Sequence, residues 1–316
     1  MAAINPPFPS PLRLPVVAAP MFLVSGPDLV IAASTAGVIG SFPAPNCRTL
    51  DDLDRWLGAI GDALRGRSTA APWALNLVTH SSNPRLADDL RLVAEHRPPI
   101  VITALGSPRP VVDVVHGYGG LVIADVVNVR LARKAAAADV DGLACVASGA
   151  GGHTGALSPF AFVAAVREFF SGLIVVGGGI SDGFGIAGAI ACGADLVYLG
   201  TRFLATRESM APEAYKRMIV EHGIDDLIVS AGITGTPASW LRPSLLANGL
   251  DPDNLAANGH REYDPATAAR RWKDLWAAGQ GLETIHSVEP VAVVVDELER
   301  GYRAALDRLA ARTGSV

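Results

Sequence analysis

The chain has 316 residues, half of them hydrophobic, and a formal net charge of −5. This length is enough for one large domain with an extensive core, such as a barrel. The sequence contains no block of basic residues, which argues against nucleic acid as a partner, because binding it needs a clustered positive face. It also lacks about 20 consecutive clean apolar residues for a bilayer span, so we expect no membrane contact.

Short apolar segments alternate with helical patterns along most of the chain. The predicted strands are rich in Val, Ile and Leu, as buried parallel strands are; they cover 16–19, 38–42, 73–78, 100–104, 121–126, 142–147, 173–177 and 196–199. The predicted helices cover 27–36, 50–65, 84–96, 109–117, 129–138, 159–170, 182–192 and 212–222. Eight strand–helix units of roughly 25 residues predict an α/β fold, a (β/α)8 TIM barrel. A doubly wound open sheet is the alternative, although no GxGxxG follows the first strand.

Residues 229–262 interrupt this regularity. They are rich in Gly, Pro, Asn and Ser, and so long an irregular stretch in a compact domain is usually functional, often a lid. Two further helices are predicted, 264–278 and 291–311. We therefore divide the chain into a barrel, formed by 1–204 and 286–316, and a C-terminal helical cap, 205–285, which packs over the barrel mouth.

The cysteines and histidines show no metal-ligand spacing. Cys47, Cys145 and Cys192 form no CxxC pair, and we interpret them as reduced core thiols. Because the N-terminus also lacks the apolar stretch of a secretory signal, we expect a cytoplasmic protein. No histidine pair has metal-ligand spacing, so no metal site is expected.

Three glycine-rich turns follow the last predicted strands. They occur in 146–155 (VASGAGGHTG), 174–183 (IVVGGGISDG) and 198–203 (YLGTRF). Glycine lets the backbone take a positive φ and approach a ligand closely. The carboxyl ends of barrel strands open on one face, so the turns are expected to share one mouth that holds a phosphate and a flat group.

Gly178, Gly179, Gly200 and Thr201 form the predicted phosphate cradle. Free backbone N–H groups at the start of a helix favour an anion, and phosphate sites in barrels often follow the seventh and eighth strands. Tight packing of helix against strand is the alternative explanation for these glycines.

Other candidates lie at the ends of earlier strands. His153, between glycines after the sixth strand, is the candidate catalytic residue; the alternative is a histidine that only satisfies loop backbone groups. Ala19, Pro20 and Met21 end the first strand, and methionine offers a soft surface to a flat ring, although it also serves as an ordinary core residue. Asn76, at the end of the third strand, is suited to hydrogen-bond the edge of a heterocycle.

Together these motifs resemble the nitronate monooxygenases, once called 2-nitropropane dioxygenases, and their relatives the FMN-dependent enoyl-ACP reductases. The resemblance covers most of the barrel and runs into the cap. The matching runs are AAPM (18–21), ALNL (74–77), GAGGHTG (149–155), GGGISDG (177–183), GADLVYLGTRFLATRES (193–209) and ITGTP (233–237).

The resemblance implies that FMN lies across the C-terminal mouth of the barrel. His153 matches the family's histidine, a base or a substrate orienter. The residues expected to contact FMN, from the ring to the phosphate, are Ala19, Pro20, Met21, Asn76, Gly151, Gly152, Gly178, Gly179, Gly200 and Thr201.

Three positions depart from the pattern of many members. Asp125 stands near the flavin where many have a lysine, and Val146 stands where many have an acidic residue. In the cap, the segment that is arginine-rich in the family reads TPASWLRPS, with Trp240 inserted. These departures bear on the substrate more than on the cofactor.

The resemblance implies an FMN-dependent oxidoreductase that oxidises alkyl nitronates or nitroalkanes with O2 to a carbonyl compound and nitrite. Because an imidazole titrates near neutral pH, His153 would remove the α-proton of a neutral nitroalkane or hold a pre-formed nitronate. An NAD(P)H-dependent FMN reductase acting on a quinone or enoyl thioester is one alternative, and a non-redox phosphate-binding isomerase or lyase is another. The expected partners are a small-molecule substrate and O2, with NAD(P)H as an alternative electron donor and a homodimer as an alternative to a monomer.

Overall fold

The computed structural model describes residues 12–255 and 273–313 and contains a closed barrel. Its eight parallel strands are hydrogen-bonded in the order β1–β9–β8–β6–β5–β4–β3–β2. A bridge between Val17 and Ile39 joins the two ends, because Ala18 N donates to Ile39 O at 2.8 Å. The TIM barrel is therefore confirmed and the open sheet is wrong. The barrel strands are β1 (Val16–Ala18), β2 (Gly40–Pro43), β3 (Trp73–Val78), β4 (Ile100–Ala104), β5 (Leu121–Val126), β6 (Gly142–Val146), β8 (Leu173–Gly177) and β9 (Leu196–Leu199).

Helices surround the barrel, and several begin at a side-chain cap. Thr49 and Asp52 form a capping box at the start of α2, and Asp182 accepts a hydrogen bond from Gly185 N at 2.7 Å at the start of α7. The helices are α1 (Pro27–Thr35), α2 (Leu50–Leu64), α3 (Leu86–His96), α4 (Arg109–His116), α5 (Val129–Ala136), α6 (Pro159–Arg167), α7 (Gly183–Ala191), α8 (Thr201–Leu204), α9 (Glu213–Glu221), α10 (Arg242–Ala247) and α11 (Val291–Thr313).

Alternating side chains along each strand fill two separate cores. On β5, Val122 and Ala124 pack outward against the helices, whereas Ile123 packs inward with Ile100 and Val175. This period of two directs Asp125 into the barrel as well. The inward side chains at the carboxyl ends of the strands therefore include a carboxyl group, which is partly accessible from the mouth.

A small antiparallel sheet lies over the mouth. It contains β10 (Leu227–Ser230), β11 (Ala238–Leu241) and β7 (Gly152–His153), in the order β10–β11–β7. Residues 229–255 are thus less irregular than their composition predicts, and 256–262 lie outside the described residues. The predicted helix 264–278 lies mostly outside the described residues, and residues 275–278 are not helical.

The last helix packs closely on α7. Residues of α11, including Val294, Val295 and Leu298, join the outer core. A Cβ added to Gly183 would collide with the backbone of Gly301 and Tyr302. The glycine therefore permits α11 to approach α7.

The three cysteines are free, and Cys47 and Cys145 are buried. Among the described residues, no helix is both long and apolar enough to cross a bilayer.

Candidate active site

A cleft of about 2040 Å³ opens at the carboxyl ends of the barrel strands. It brings together all the predicted site residues, which lie at or after the carboxyl ends of six barrel strands. Their placement agrees with one shared mouth, while the individual roles assigned to them stay predictions. The predicted residues that line it are Ala19, Pro20, Met21, Asn76, Asp125, Gly151, Gly152, His153, Gly178, Gly179, Gly200 and Thr201.

The turns after β6 and β8 are joined to each other. Gly149 and Gly179 have φ values of 86° and 67°, in the left-handed region that favours glycine. Gly149 O accepts hydrogen bonds from Gly179 N at 3.0 Å and from Gln280 N at 2.9 Å. The N–H group of Gly179 is therefore already hydrogen-bonded within the protein. Gly179 would help a ligand instead by having no side chain, which lets the ligand approach the backbone.

The turn after β9 is built differently. Gly200 precedes α8 with a φ of −97°, which any residue adopts. A Cβ added there would lie 3.7 Å from Met21 Sδ, an ordinary contact. The hydroxyl of Thr201 accepts a hydrogen bond from Gly279 N at 2.9 Å, so the C-terminal part of the cap segment reaches the cradle.

Asn46 holds the loop that carries Met21. Its side-chain oxygen accepts from Leu23 N at 2.8 Å, and its Nδ2 donates to Met21 O at 3.1 Å and Ser25 O at 2.7 Å. The sequence motifs do not identify this residue, because its partners belong to a separate segment, the loop after β1.

His153 lies at the rim and belongs to the cap sheet. Within β7 it pairs with Ala238 of β11, and the next residue, Thr154, donates its N–H to Pro237 O at 3.1 Å. The side chain of His153 is half-buried and lines the cleft. The cap therefore sets the position of the candidate catalytic residue.

Asp125 and Tyr198 form a hydrogen-bonded pair at the floor of the cleft. Tyr198 OH donates to Asp125 Oδ1 at 3.3 Å. Although Asp125 is partly accessible from the cleft, protein atoms surround it, and this burial raises its pKa to about 7, against a lowering by the Tyr198 hydrogen bond. Burial and the neighbouring carboxyl raise the pKa of Tyr198 well above its ordinary value. Tyr198 was missed, although it interrupts the apolar strand just before Gly200.

The three residues that depart from the family pattern lie in two different parts of the structure. Asp125 and Val146 line the cleft. Trp240 is fully buried among Ile233, Leu245 and other cap side chains and is not a lining residue. Trp240 therefore belongs to the core of the cap rather than to the wall of the cleft, and its bearing on the substrate stays a prediction.

One group of potential metal ligands lies outside the cleft. Asp54, Glu95 and His96 each place one ligand atom within 4.8 Å of the others. The two carboxylates are exposed, and His96 Nε2 lies 2.6 Å from Asp54 Oδ1. An ordinary His–carboxylate pair between α2 and α3 accounts for this cluster.

The chain is similar to several known proteins. It is 29% identical over 235 residues to an octahydro-indene-carboxyl-CoA dehydrogenase of Mycobacterium tuberculosis, covering 73% of this chain but only 64% of that protein. It is 28% identical to a nitronate monooxygenase of Paraburkholderia phytofirmans, covering 93% of this chain and 94% of that one. Among solved structures, FabK from Thermotoga maritima superposes with a TM-score of 0.80 at 26% identity, covering 95% of this chain and 96% of its own.

A family model agrees with these similarities. The model described as nitronate monooxygenase matches residues 10–299, which include the barrel strands, the glycine-rich turns and the cap sheet. The match extends over nearly the whole described structure, so it concerns the architecture as well as the motifs. The chain therefore belongs to the nitronate monooxygenase family and is an oxidoreductase of that family.

Proposed function

We propose that this chain is an FMN-dependent oxidoreductase that oxidises alkyl nitronates with O2 to a carbonyl compound and nitrite. The observation that carries the proposal is the convergence of His153 and the glycine turns after β6, β8 and β9 on one cleft, in a chain of this family. FMN, when bound, would supply the electron transfer between nitronate and O2.

The lining of the cleft fits FMN. Gly149 and Gly178 have φ values of 86° and 147°, so these turns offer bare backbone for close approach. Ala19, Pro20 and Met21 provide an apolar surface for the ring. The cleft, at about 2040 Å³, exceeds the ~300–1,000 Å³ of an ordinary small-ligand pocket, and this leaves room for cofactor and substrate together.

Two side chains have defined tasks in this reaction. For a neutral nitroalkane, the imidazole of His153 accepts the α-proton, whereas for a pre-formed nitronate it holds the anion. Asp125 shares its hydrogen bond with Tyr198, and its raised pKa of about 7 keeps the carboxyl neutral in mildly acidic solution. A neutral Asp125 does not repel an anionic substrate.

An NAD(P)H-dependent reductase acting on an enoyl thioester is the second candidate. The size of the cleft favours it, since an alkyl nitronate beside FMN leaves much of the volume unfilled. The name of the Mycobacterium tuberculosis relative also specifies a CoA thioester. A non-redox isomerase or lyase loses its support, because the family consists of oxidoreductases.

Flavin analysis and anaerobic reduction test the proposal. Chromatography of the flavin released by heat should yield FMN, and propyl nitronate should bleach the bound flavin without oxygen. Oxygen should then restore the colour with formation of nitrite. Release of FAD, or no flavin after incubation with FMN, would contradict the cofactor assignment. Bleaching by NADH or NADPH but not by propyl nitronate would select the second candidate.

A further inference from the structure

Part of the cleft, called the arm below, is lined by residues at the start of α4 and along α5. The residues after β4 form one side of it, and those after β5 form the other. Arg109, at the start of α4, spans the far end, because its Nη2 donates to Ala137 O at 3.2 Å. The residues lining the arm are Ser107, Pro108, Arg109, Asn128, Leu131 and Lys134.

The arm lies across the mouth from the glycine cradle. In the ring order β1–β9–β8–β6–β5–β4–β3–β2, β4 is four strands from β9 in either direction. Gly200 and Thr201 follow β9, whereas Arg109 follows β4. A flavin whose phosphate lies at the cradle therefore leaves the arm open to the molecule that meets the ring.

The charge of the lining is opposite to that of the chain. The protein carries a net charge of −5, yet the described cleft residues include the basic Arg48, Arg85, Arg109, Lys134 and Lys273. Their only acidic counterparts in that lining are Asp89 and Asp125. Arg85 pairs with Asp89 at 2.9 Å, and Asp125 binds Tyr198 at the floor. The arm itself therefore has cations and no carboxylate among its described residues.

Lys134 is the clearest of these cations. It is exposed, lines the arm, and makes no hydrogen bond or ion pair with any residue in the described ranges. Because the ammonium group of Lys134 has no partner among the described residues, it is available to bind an anion. An alkyl nitronate carries one small charge, which the rim histidine already accommodates.

We infer that the arm between α4 and α5 is a second anion-binding subsite, which takes the phosphates of a nucleotide carried by the substrate or by the electron donor. Arg109 and Lys134 are its recognition residues. This inference rests on the flavin placement of the proposed function. A CoA thioester and NADPH share the required chemistry, an extended molecule with several phosphates.

Binding measurements on the flavin-loaded protein test the inference. The probes are CoA and NADPH, measured by calorimetry for the native protein and for Lys134→Gln and Arg109→Gln. Each variant should weaken binding roughly 5-fold, the upper range of a single exposed charge pair. Arg130→Gln is the matched control, because Arg130 is exposed on the same helix but does not line the cleft, and its affinity should equal that of the native protein.

The outcomes separate the two sources of phosphate. If the two variants bind only CoA more weakly, the subsite recognises a thioester substrate. If they bind only NADPH more weakly, it recognises the electron donor. Weaker binding of both probes indicates that the subsite recognises the phosphates common to them. Unchanged affinity in both variants, an equal loss in Arg130→Gln, or no binding of either probe by the native protein would overturn the inference. Turnover of propyl nitronate by the native protein tests the proposed function separately, because that anion has no phosphate.

Discussion

Asp125 is a carboxyl group in a barrel interior that is otherwise mainly aliphatic. Its nearest inward neighbours along the strand and across the floor include Ile123 and Tyr198. Charging a carboxyl in such surroundings is unfavourable, and its pKa accordingly rises from 3.8 to about 7. The folded protein thus retains a proton at pH values where the unfolded chain has released it.

This difference makes stability depend on pH. Between about pH 4 and pH 7 the folded state binds more protons than the unfolded state, so the free energy of unfolding should fall as the pH rises through this range. Asp125→Asn keeps an acceptor for Tyr198 but cannot ionise, so it should become more stable relative to the native protein over the same range. Thermal midpoints of both flavin-free proteins from pH 4 to pH 8 measure the effect.

Tyr198→Phe is the companion to that measurement. It removes the hydrogen bond that lowers the pKa of Asp125, so the native fall in stability should continue to higher pH. Parallel midpoint curves for the native protein and Asp125→Asn would show that Asp125 has an ordinary pKa.

His153 allows a second test on a single side chain. His153→Asn removes the base that accepts the α-proton of a neutral nitroalkane. Turnover of the nitroalkane should therefore fall by ~10²–10⁴-fold, the usual contribution of general-base catalysis. Turnover of the pre-formed nitronate should fall much less, because its proton is already gone. Steady-state rates on both forms decide the role, and equal losses would leave His153 an orienter of the substrate.

Among the elements, the turn after β9 offers the cleanest test of the cradle. Gly179 has a positive φ, so a side chain there would strain the backbone and obscure any effect of charge. Gly200 has a φ of −97° and room for a Cβ, whose nearest neighbour would lie at 3.7 Å. A substitution at Gly200 therefore reports on the ligand rather than on the fold.

We expect Gly200→Asp to lose FMN, because its carboxylate would repel the phosphate. Gly200→Asn has nearly the same size without the charge and should retain much more flavin, and Gly200→Ala controls for the added Cβ. The flavin-to-protein absorbance ratio after gel filtration measures retention. Equal retention by the Asp and Asn variants would place the phosphate elsewhere.

The elements also differ in how far the sequence predicts them. The barrel strands are continuous apolar runs followed by turns, and their predicted ranges agree closely with β1 to β6, β8 and β9. The second strand begins at Gly40 rather than at residue 38 because Ile39 bridges Val17 instead of extending the ladder with β3. The cap strands β10 and β11 were missed, since each has only four residues and β11 also pairs with β7, a distant segment of the chain.

At the scale of the whole molecule, α11 closes the outer layer by packing on α7. The contact depends on Gly183, where a Cβ would collide with the backbone of Gly301 and Tyr302. Gly188, on the same helix, has nothing within 4 Å of an added Cβ. Gly188 therefore serves as the control position for a substitution at Gly183.

Gly183→Ala should destabilise the protein by about 1–3 kcal/mol or more, because α11 must shift to relieve the overlap. Gly188→Ala should stabilise it by about 0.5–1 kcal/mol through the better helix propensity of alanine. Denaturant unfolding of the three proteins measures both changes. An unchanged free energy of unfolding in Gly183→Ala would show that α11 does not pack on α7 as described.

The sequence predicts a residue of the candidate site only where a motif within one short segment identifies it. The glycine turns and His153 were predicted because each follows its own strand. The Asp125–Tyr198 pair was not, because its members are 73 residues apart and meet only when the barrel closes. Asn46 was missed for the same reason, as its partners lie on the loop after β1.

The pairing of His153 with Ala238 also sets an order of events in the growing chain. Ala238 follows His153 by 85 residues (238 − 153), whereas the last barrel strand ends at Leu199. All eight barrel strands have therefore been synthesised before the partner of β7 exists. Joining segments so far apart carries a loop-closure entropy that a formed barrel reduces, so the rim geometry is acquired late. A nascent chain that stops short of β11 has the strands of a barrel without the ladder that positions its histidine.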